Sequence, residues 1–137
     1  MRSTQLCSSR LELKDCLFFR VHGVLAERLA GCGGVLRTKD GILRALFSGP
    51  VEETSSAFAF LAAVKTALVM FRDTEWVGKV SLVLELDCKV VLNWSENPLQ
   101  CPRKWWVHLA EIGRLASKLN HVKFEYISKS EIWRHFN

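Results

Sequence analysis

The stretch that most restricts the fold of this chain is KVSLVLEL, Lys79–Leu86. Its apolar residues run almost without a break, the pattern of a strand covered on both faces at the centre of a sheet. Glu85 interrupts that run near its end and Asp87 follows it directly. An aspartate after a buried strand usually holds something, and its partners have to come from elsewhere in the chain.

The other segments supply the layers around that strand. DCLFFRVHG (Asp15–Gly23) is rich in aromatic and β-branched residues and is bounded by a charge and a glycine, so it reads as a first strand. GCGGVLRTKDGILRALFSG (Gly31–Gly49) is two strand-like runs joined at Lys39, Asp40 and Gly41. The Asp-Gly step predicts a hairpin, because both residues tolerate positive φ. Pro50 is expected to close that unit. Thr54, Ser55 and Ser56 offer N-caps for a helix carrying Phe58, Leu61, Ala62, Leu68 and Phe71. That helix is apolar almost all round and is expected to be buried. A short helix from Cys88 to Trp94 follows the central strand, and Ser95–Pro102 reads as a loop. Val107, Ile112, Leu115 and Leu119 then recur at roughly helical spacing, with Asn120 as the expected C-cap. HVKFEYI places Val122, Phe124 and Tyr126 on one face as a fifth strand, and SKSEIWRHFN has room for only a turn or two of helix. The order β-β-β-α-β-α-α-β predicts a mixed sheet with helices on its faces.

The 137 residues suit one domain over residues 13–137, behind a tail at 1–12. An apolar content of 49% excludes a disordered chain. No apolar run reaches the roughly 18–20 residues that cross a bilayer, so no membrane partner is expected. The 19 basic residues against 14 acidic give +5, compatible with nucleic acid or another anionic partner. Cys7, Cys16, Cys32, Cys88 and Cys101 are odd in number and form no C-x-x-C pair, which points to reduced thiols in an intracellular protein, nuclear or cytoplasmic. MRSTQLCSSR has arginines, hydroxyls and no acid, as a mitochondrial or other organelle transit peptide would. Glu12 follows closely, however, and a frayed tail is the better reading.

Three segments carry a resemblance. GCGGVLRTKDGILRALFSGPV is similar to a G-x-G-G-V-L-R-x-x-x-G pattern, FAFLAAVKTAL to a helix reading roughly E-A-E-L-x-A-L-x-x-A-L, and LELDCKVVLNW to E-S-D-S-K-x-V-V-x-W. In this order they resemble the plant reverse-transcriptase-like ribonuclease H family, found in retroelements and stand-alone plant genes, over about Leu13 to Ile127. The resemblance implies an α/β, ribonuclease H-like fold: a five-stranded mixed sheet, its first three strands antiparallel, flanked by helices. The C-terminal helix is expected to be short or absent here.

An active member of that family is expected to hold two magnesium ions with four carboxylates. Two dications roughly 4 Å apart stabilise both the attacking and the leaving oxygen of an in-line phosphoryl displacement. Magnesium also demands several converging oxygen ligands. On this chain the first family aspartate falls at His22 and the helix glutamate at Phe60, while the aspartate after the central strand is present as Asp87. The last belongs to a C-terminal helix, where this chain runs out around Phe136 and Asn137. One of the four expected ligands is therefore present, Asp87, a remnant with weak metal affinity if any.

His22 suits zinc, copper or nickel better than magnesium and reads more simply as a strand-end histidine with a hydrogen bond. Phe60 offers no ligand and would fill the cleft with apolar surface, a burial worth roughly 1.5–3 kcal/mol. Glu85, on the same strand face as Asp87, is a family position of its own and does not replace the missing pair. Asp87 is then expected to cap the short helix at Cys88 or to stay solvated. No cofactor is expected, with Mg2+ required only if the site is active.

CPRKWWVHLAEIGR adds Arg103, Lys104, Trp105 and Trp106, with His108 and Arg114 on the next turns. Basic residues beside aromatics suit a surface that neutralises phosphates and stacks on bases or sugars. They equally suit tryptophans that anchor a helix beneath solvated charges. Lys89 lies near the expected cleft, and Arg20, Arg28, Arg37 and Lys39 lie on the opening strands and loops. The sequence thus points to a catalytically inactive ribonuclease H-like domain that binds RNA or an RNA–DNA hybrid, or serves within a larger ribonucleoprotein. The alternatives are an active metal-dependent ribonuclease H, and a protein-interaction scaffold or retroelement relic.

Overall fold

The computed structural model describes residues 2–3, 16–27, 29–52, 55–119 and 121–128. Within them the chain forms β1 (Arg2–Ser3), β2 (Cys16–Ala26), β3 (Leu29–Thr38), β4 (Leu43–Val51), α1 (Ser56–Arg72), β5 (Ser81–Leu86), α2 (Lys89–Glu96), α3 (Trp106–Leu119) and β6 (Val122–Tyr126). Two short 3₁₀ turns, Pro98–Gln100 and Arg103–Trp105, lead into α3. The strand order is β1-β4-β3-β2-β5-β6. β2, β3 and β4 are antiparallel, whereas β5 pairs in parallel with both β2 and β6. The predicted five-stranded mixed sheet is therefore present.

One strand was not expected. Arg2 and Ser3 pair with Ser48 and Phe47, so the start of the predicted tail is tied to the edge of the sheet. Residues 4–15 and 129–137, which include Cys7 and most of the final segment, lie outside the described residues, as do Thr54 and the expected cap Asn120. Cys16, Cys32, Cys88 and Cys101 are free thiols. Among the described residues no helix is long and apolar enough to cross a membrane.

The elements form where local chemistry asks for them. Leu82 to Leu86 are all buried, as a strand covered on both faces requires. The hairpin turn is held by the Thr38 hydroxyl, which donates to Asp40 Oδ1 at 2.8 Å and accepts from the Ile42 amide at 3.0 Å, with Gly41 at φ 91°. Ser55 caps α1 by accepting from the Phe58 amide at 3.4 Å. Two boundaries differ from expectation. β2 continues past Gly23 to Ala26, because the chain reverses later, with Glu27 at φ 56°. Pro50 lies inside β4, opposite Gly31, and does not close it. The strand tolerates it because β1 covers only Phe47 and Ser48, which leaves Pro50 on an edge.

α1 lies across β2 with Ala59, Ala63, Ala67 and Leu68 completely buried. The approach is so close that a Cβ at Gly23 would sit 2.6 Å from both the Ala59 Cβ and the Phe60 backbone nitrogen. A backbone atom yields far less readily than the end of a side chain. Gly23→Ala is therefore expected to cost about 2–3 kcal/mol, read as a lower urea midpoint. Gly113→Ala on α3, where a Cβ meets nothing within 4 Å, is expected to raise the midpoint by up to about 1 kcal/mol of stability.

Candidate functional site

The parallel register runs from Cys16↔Ser81 to Val21↔Leu86. One step further places His22 beside Asp87. Alternation along each strand puts Arg20 and His22 on the same sheet face as Glu85 and Asp87. Phe60 lies near the same end of the strands, its backbone against Gly23, but on α1, which covers the other face of the sheet. Of the three sequence-predicted positions, His22 and Asp87 thus become neighbours where β5 ends, and Phe60 is set apart from them in the core.

Their individual states differ from two expectations. His22 is not at a strand end: it pairs with Gly33 in the middle of the β2–β3 ladder. Asp87 does not cap α2. Cys88 takes the extended cap conformation, no side chain makes the cap hydrogen bond, and Asp87 stands one residue too early to reach the first-turn amides. Asp87 is half-buried, and its Oδ1 is buried with no hydrogen-bond partner. Phe60 is 7% exposed and belongs to the hydrophobic core.

Glu85 proves to be a structural centre of this face. Its Oε1 accepts from Arg20 Nε at 3.2 Å and from Arg37 Nη2 at 3.0 Å. Arg20 is only 3% exposed, and the Arg37 guanidinium lies 4.9 Å from the centroid of the Phe18 ring. Burial lowers the Arg37 pKa from its ordinary value while Glu85 pulls it back up. An arginine remains charged in such a setting. Arg20 and Arg37 were among the cations expected to reach a nucleic acid; they are instead clasped to Glu85, since a buried charge must be paired. Arg28 lies outside the described residues, and Lys39 is exposed.

The orphaned Asp87 oxygen is a donor that a hard cation would take. Magnesium, however, needs several anionic oxygens in an octahedron, and the neighbouring position supplies an imidazole. Among the described residues no three His, Cys, Asp or Glu side chains gather closely enough to hold a metal ion. The residues present do not fit a two-magnesium centre.

The basic-aromatic stretch divides between core and surface. Trp105 is buried, its ring centroid 5.8 Å from those of Trp94 and Phe58. Trp106 is 38% exposed, and its indole N–H donates to the Cys101 carbonyl at 2.7 Å. Arg103 stacks over Trp106 at 5.3 Å, and Lys104 over Trp105 at 4.9 Å. Lys89, at the start of α2, lies 5.0 Å from the Tyr126 ring centroid. Lys89, Arg103 and Lys104 are all exposed. His108 packs edge-on against Phe58, and Arg114 is exposed.

A parallel β2–β5 centre, antiparallel β3 and β4 outside it and three helices make up the ribonuclease H-like fold. No family model matches the sequence, and no curated protein matches it. Solved structures do. LC11-RNase H1, isolated from compost by a metagenomic approach, aligns with a TM-score of 0.79 at 15% identity, over 89% of this chain and 91% of its own. The same enzyme in complex with an RNA/DNA hybrid gives 0.76 at 15% identity, over 86% and 89%. RNase H1 of the halophilic archaeon Halobacterium salinarum gives 0.75 at 15% identity, over 87% and 90%. The RNase H domain of prototype foamy virus gives 0.58 at 14% identity, over 86% and 81%. At such identities the likeness establishes the fold.

Removing the charge at the centre of the clasp leaves two guanidinium groups without a counter-ion. Glu85→Gln is expected to destabilise the domain by about 3–5 kcal/mol, measured by chemical denaturation. A loss below about 1 kcal/mol would mean that the arginines find solvent in the native state.

Proposed function

We propose that the chain is a catalytically silent ribonuclease H-like domain that binds an RNA–DNA hybrid, alone or within a larger ribonucleoprotein. In this reading it is a degenerate relative of the plant reverse-transcriptase-like family it resembles. The observation that carries the proposal is Phe60, a phenyl ring buried in the core at the helix position where the resembled family would place a glutamate, which leaves Asp87 as the one expected carboxylate at the end of β5. In-line phosphoryl transfer by two metal ions needs oxygen donors on both sides of the reacting phosphate. A phenyl ring removes one side of that arrangement, and the His22 imidazole is a poor magnesium donor.

Binding does not need those donors. Lys89, Arg103 and Lys104 offer exposed charge for phosphates, and Trp106 offers a partly exposed ring. Trp105 supports the charge of Lys104 from beneath. A hybrid is the ligand of choice because LC11-RNase H1, which has the same fold, was solved with one.

Labelled hybrid incubated with purified protein and magnesium or manganese is expected to stay intact, at the level given by Asp87→Asn. Turnover by the wild type that disappears in Asp87→Asn would replace this reading with an active ribonuclease. Hybrid affinity is expected to fall steeply with salt. Replacing Lys89, Arg103 and Lys104 together by alanine should reduce the slope of log K against log salt by about 2–3, near 0.9 per lost phosphate contact. Association that ignores salt, or that requires a protein partner, would point to a scaffold.

A further inference from the structure

The helix layer contains an opening that neither the strand-end site nor the cation surface uses. Between α2 and α3 lies a cavity of about 670 Å³, floored by Leu86 and Phe124 of the sheet and walled by apolar side chains such as Leu109 of α3. The opening is a cleft that communicates with solvent, not an enclosed void. Its size falls among small-molecule sites, which run from roughly 300 to 1,000 Å³.

Two features define the occupant. The polar side-chain groups that line the cavity are already satisfied within the protein: the Ser95 hydroxyl donates to the Leu92 carbonyl at 2.6 Å, and the Trp106 indole N–H donates to the Cys101 carbonyl. Nothing inside rewards a polar ligand, so what enters is hydrocarbon. A cation lies next to one lining residue. Trp106 lines the cavity and Arg103 lies over its exposed ring, with no ion pair to any described residue. Leu99 also lines the cavity and is 85% exposed, which carries the apolar surface out to solvent.

We propose that this cavity binds a single-chain amphiphile of the fatty carboxylate class, its hydrocarbon chain on Leu86 and Phe124 and its carboxylate on Arg103. The site goes beyond the hybrid-binding reading and shares Arg103 and Trp106 with it. Failure of hybrid binding leaves the cavity prediction standing, and the reverse also holds.

Calorimetric titration of the full chain with octanoate through hexadecanoate, each below its micelle concentration, tests the proposal. Affinity is expected to rise about fourfold per added methylene until the cavity is full, and then to level off. The matching primary alcohols are expected to bind about tenfold more weakly, and Arg103→Ala to abolish that difference. Gly113 lines the cavity and has open space around it, so Gly113→Phe should block the cavity without harming the fold. It is expected to weaken dodecanoate binding about tenfold or more, with no fall in melting temperature. Leu99→Ser, a change at an exposed position, should weaken binding in the same direction. The proposal is overturned if no carboxylate binds, if affinity ignores chain length, or if Gly113→Phe binds as the wild type does. Adsorption only to vesicles of anionic lipid, or uptake of an apolar peptide in place of the carboxylates, overturns it as well.

Discussion

Leu17, Phe19 and Val21 face Leu82, Leu84 and Leu86 across a parallel ladder, and none of the six is more than 1% exposed. Parallel strands cannot be joined by a tight turn, so the chain between them must travel across the sheet and return over one face. Here that path is β3, β4 and α1, and α1 supplies the apolar layer that buries one side of the ladder. Gly23 lets the helix settle against β2. Once this pairing is made, positions 22 and 87 stand side by side on one face, while position 60 lies on the helix that covers the other. The fold itself therefore places a histidine and an aspartate together at the end of β5.

The opposite face is governed by charge. A one-residue slip of β2 against β5 would turn Arg20 into the apolar layer and Phe19 out of it. Glu85 works against such a slip, because its carboxylate can serve Arg20 and Arg37 together only in the observed register. The clasp also removes those two arginines from the set of cations open to a phosphate. The positive charge that remains available lies on the exposed ends of α2 and α3 and on loop residues such as Lys39.

How much of this was legible depends on the range of each interaction. The central strand, the Thr38–Ile42 turn and α1 announce themselves through patterns a few residues long, and each forms near where it was read. The strand begins at Ser81, and Ser55 serves as the cap among the three candidates. The clasp was hidden because it joins residues 65 and 48 positions apart, and only the strand register brings them together. The role of Asp87 as a cap was misjudged by a single residue, because α2 begins one position later than its apolar pattern suggests. Trp105 and Trp106 share one chemistry and adjacent positions. The turn into α3 sends one into the core and leaves the other at the surface, a choice composition does not encode. The candidate site was found through its resemblance to a family and not through any local signal, since His22 and Phe60 are ordinary residues for a strand and a buried helix.

Loss of catalysis and retention of binding are physically compatible at such a site. A cleft holding several ionised carboxylates repels a phosphodiester until bound cations neutralise it, because like charges a few ångströms apart in a partly dry pocket interact strongly. Replacing carboxylates by an imidazole and a phenyl ring lowers that barrier without any metal. The carboxylate at Asp87 lies two residues along the strand face from the Arg20–Glu85–Arg37 cluster, whose single excess positive charge it offsets. A nucleic-acid backbone approaching this end of the sheet meets far less repulsion than it would in a metal-free enzyme with all its acids in place. In the proposed reading, a hybrid would reach this end of the sheet without the metal that a fully acidic cleft requires.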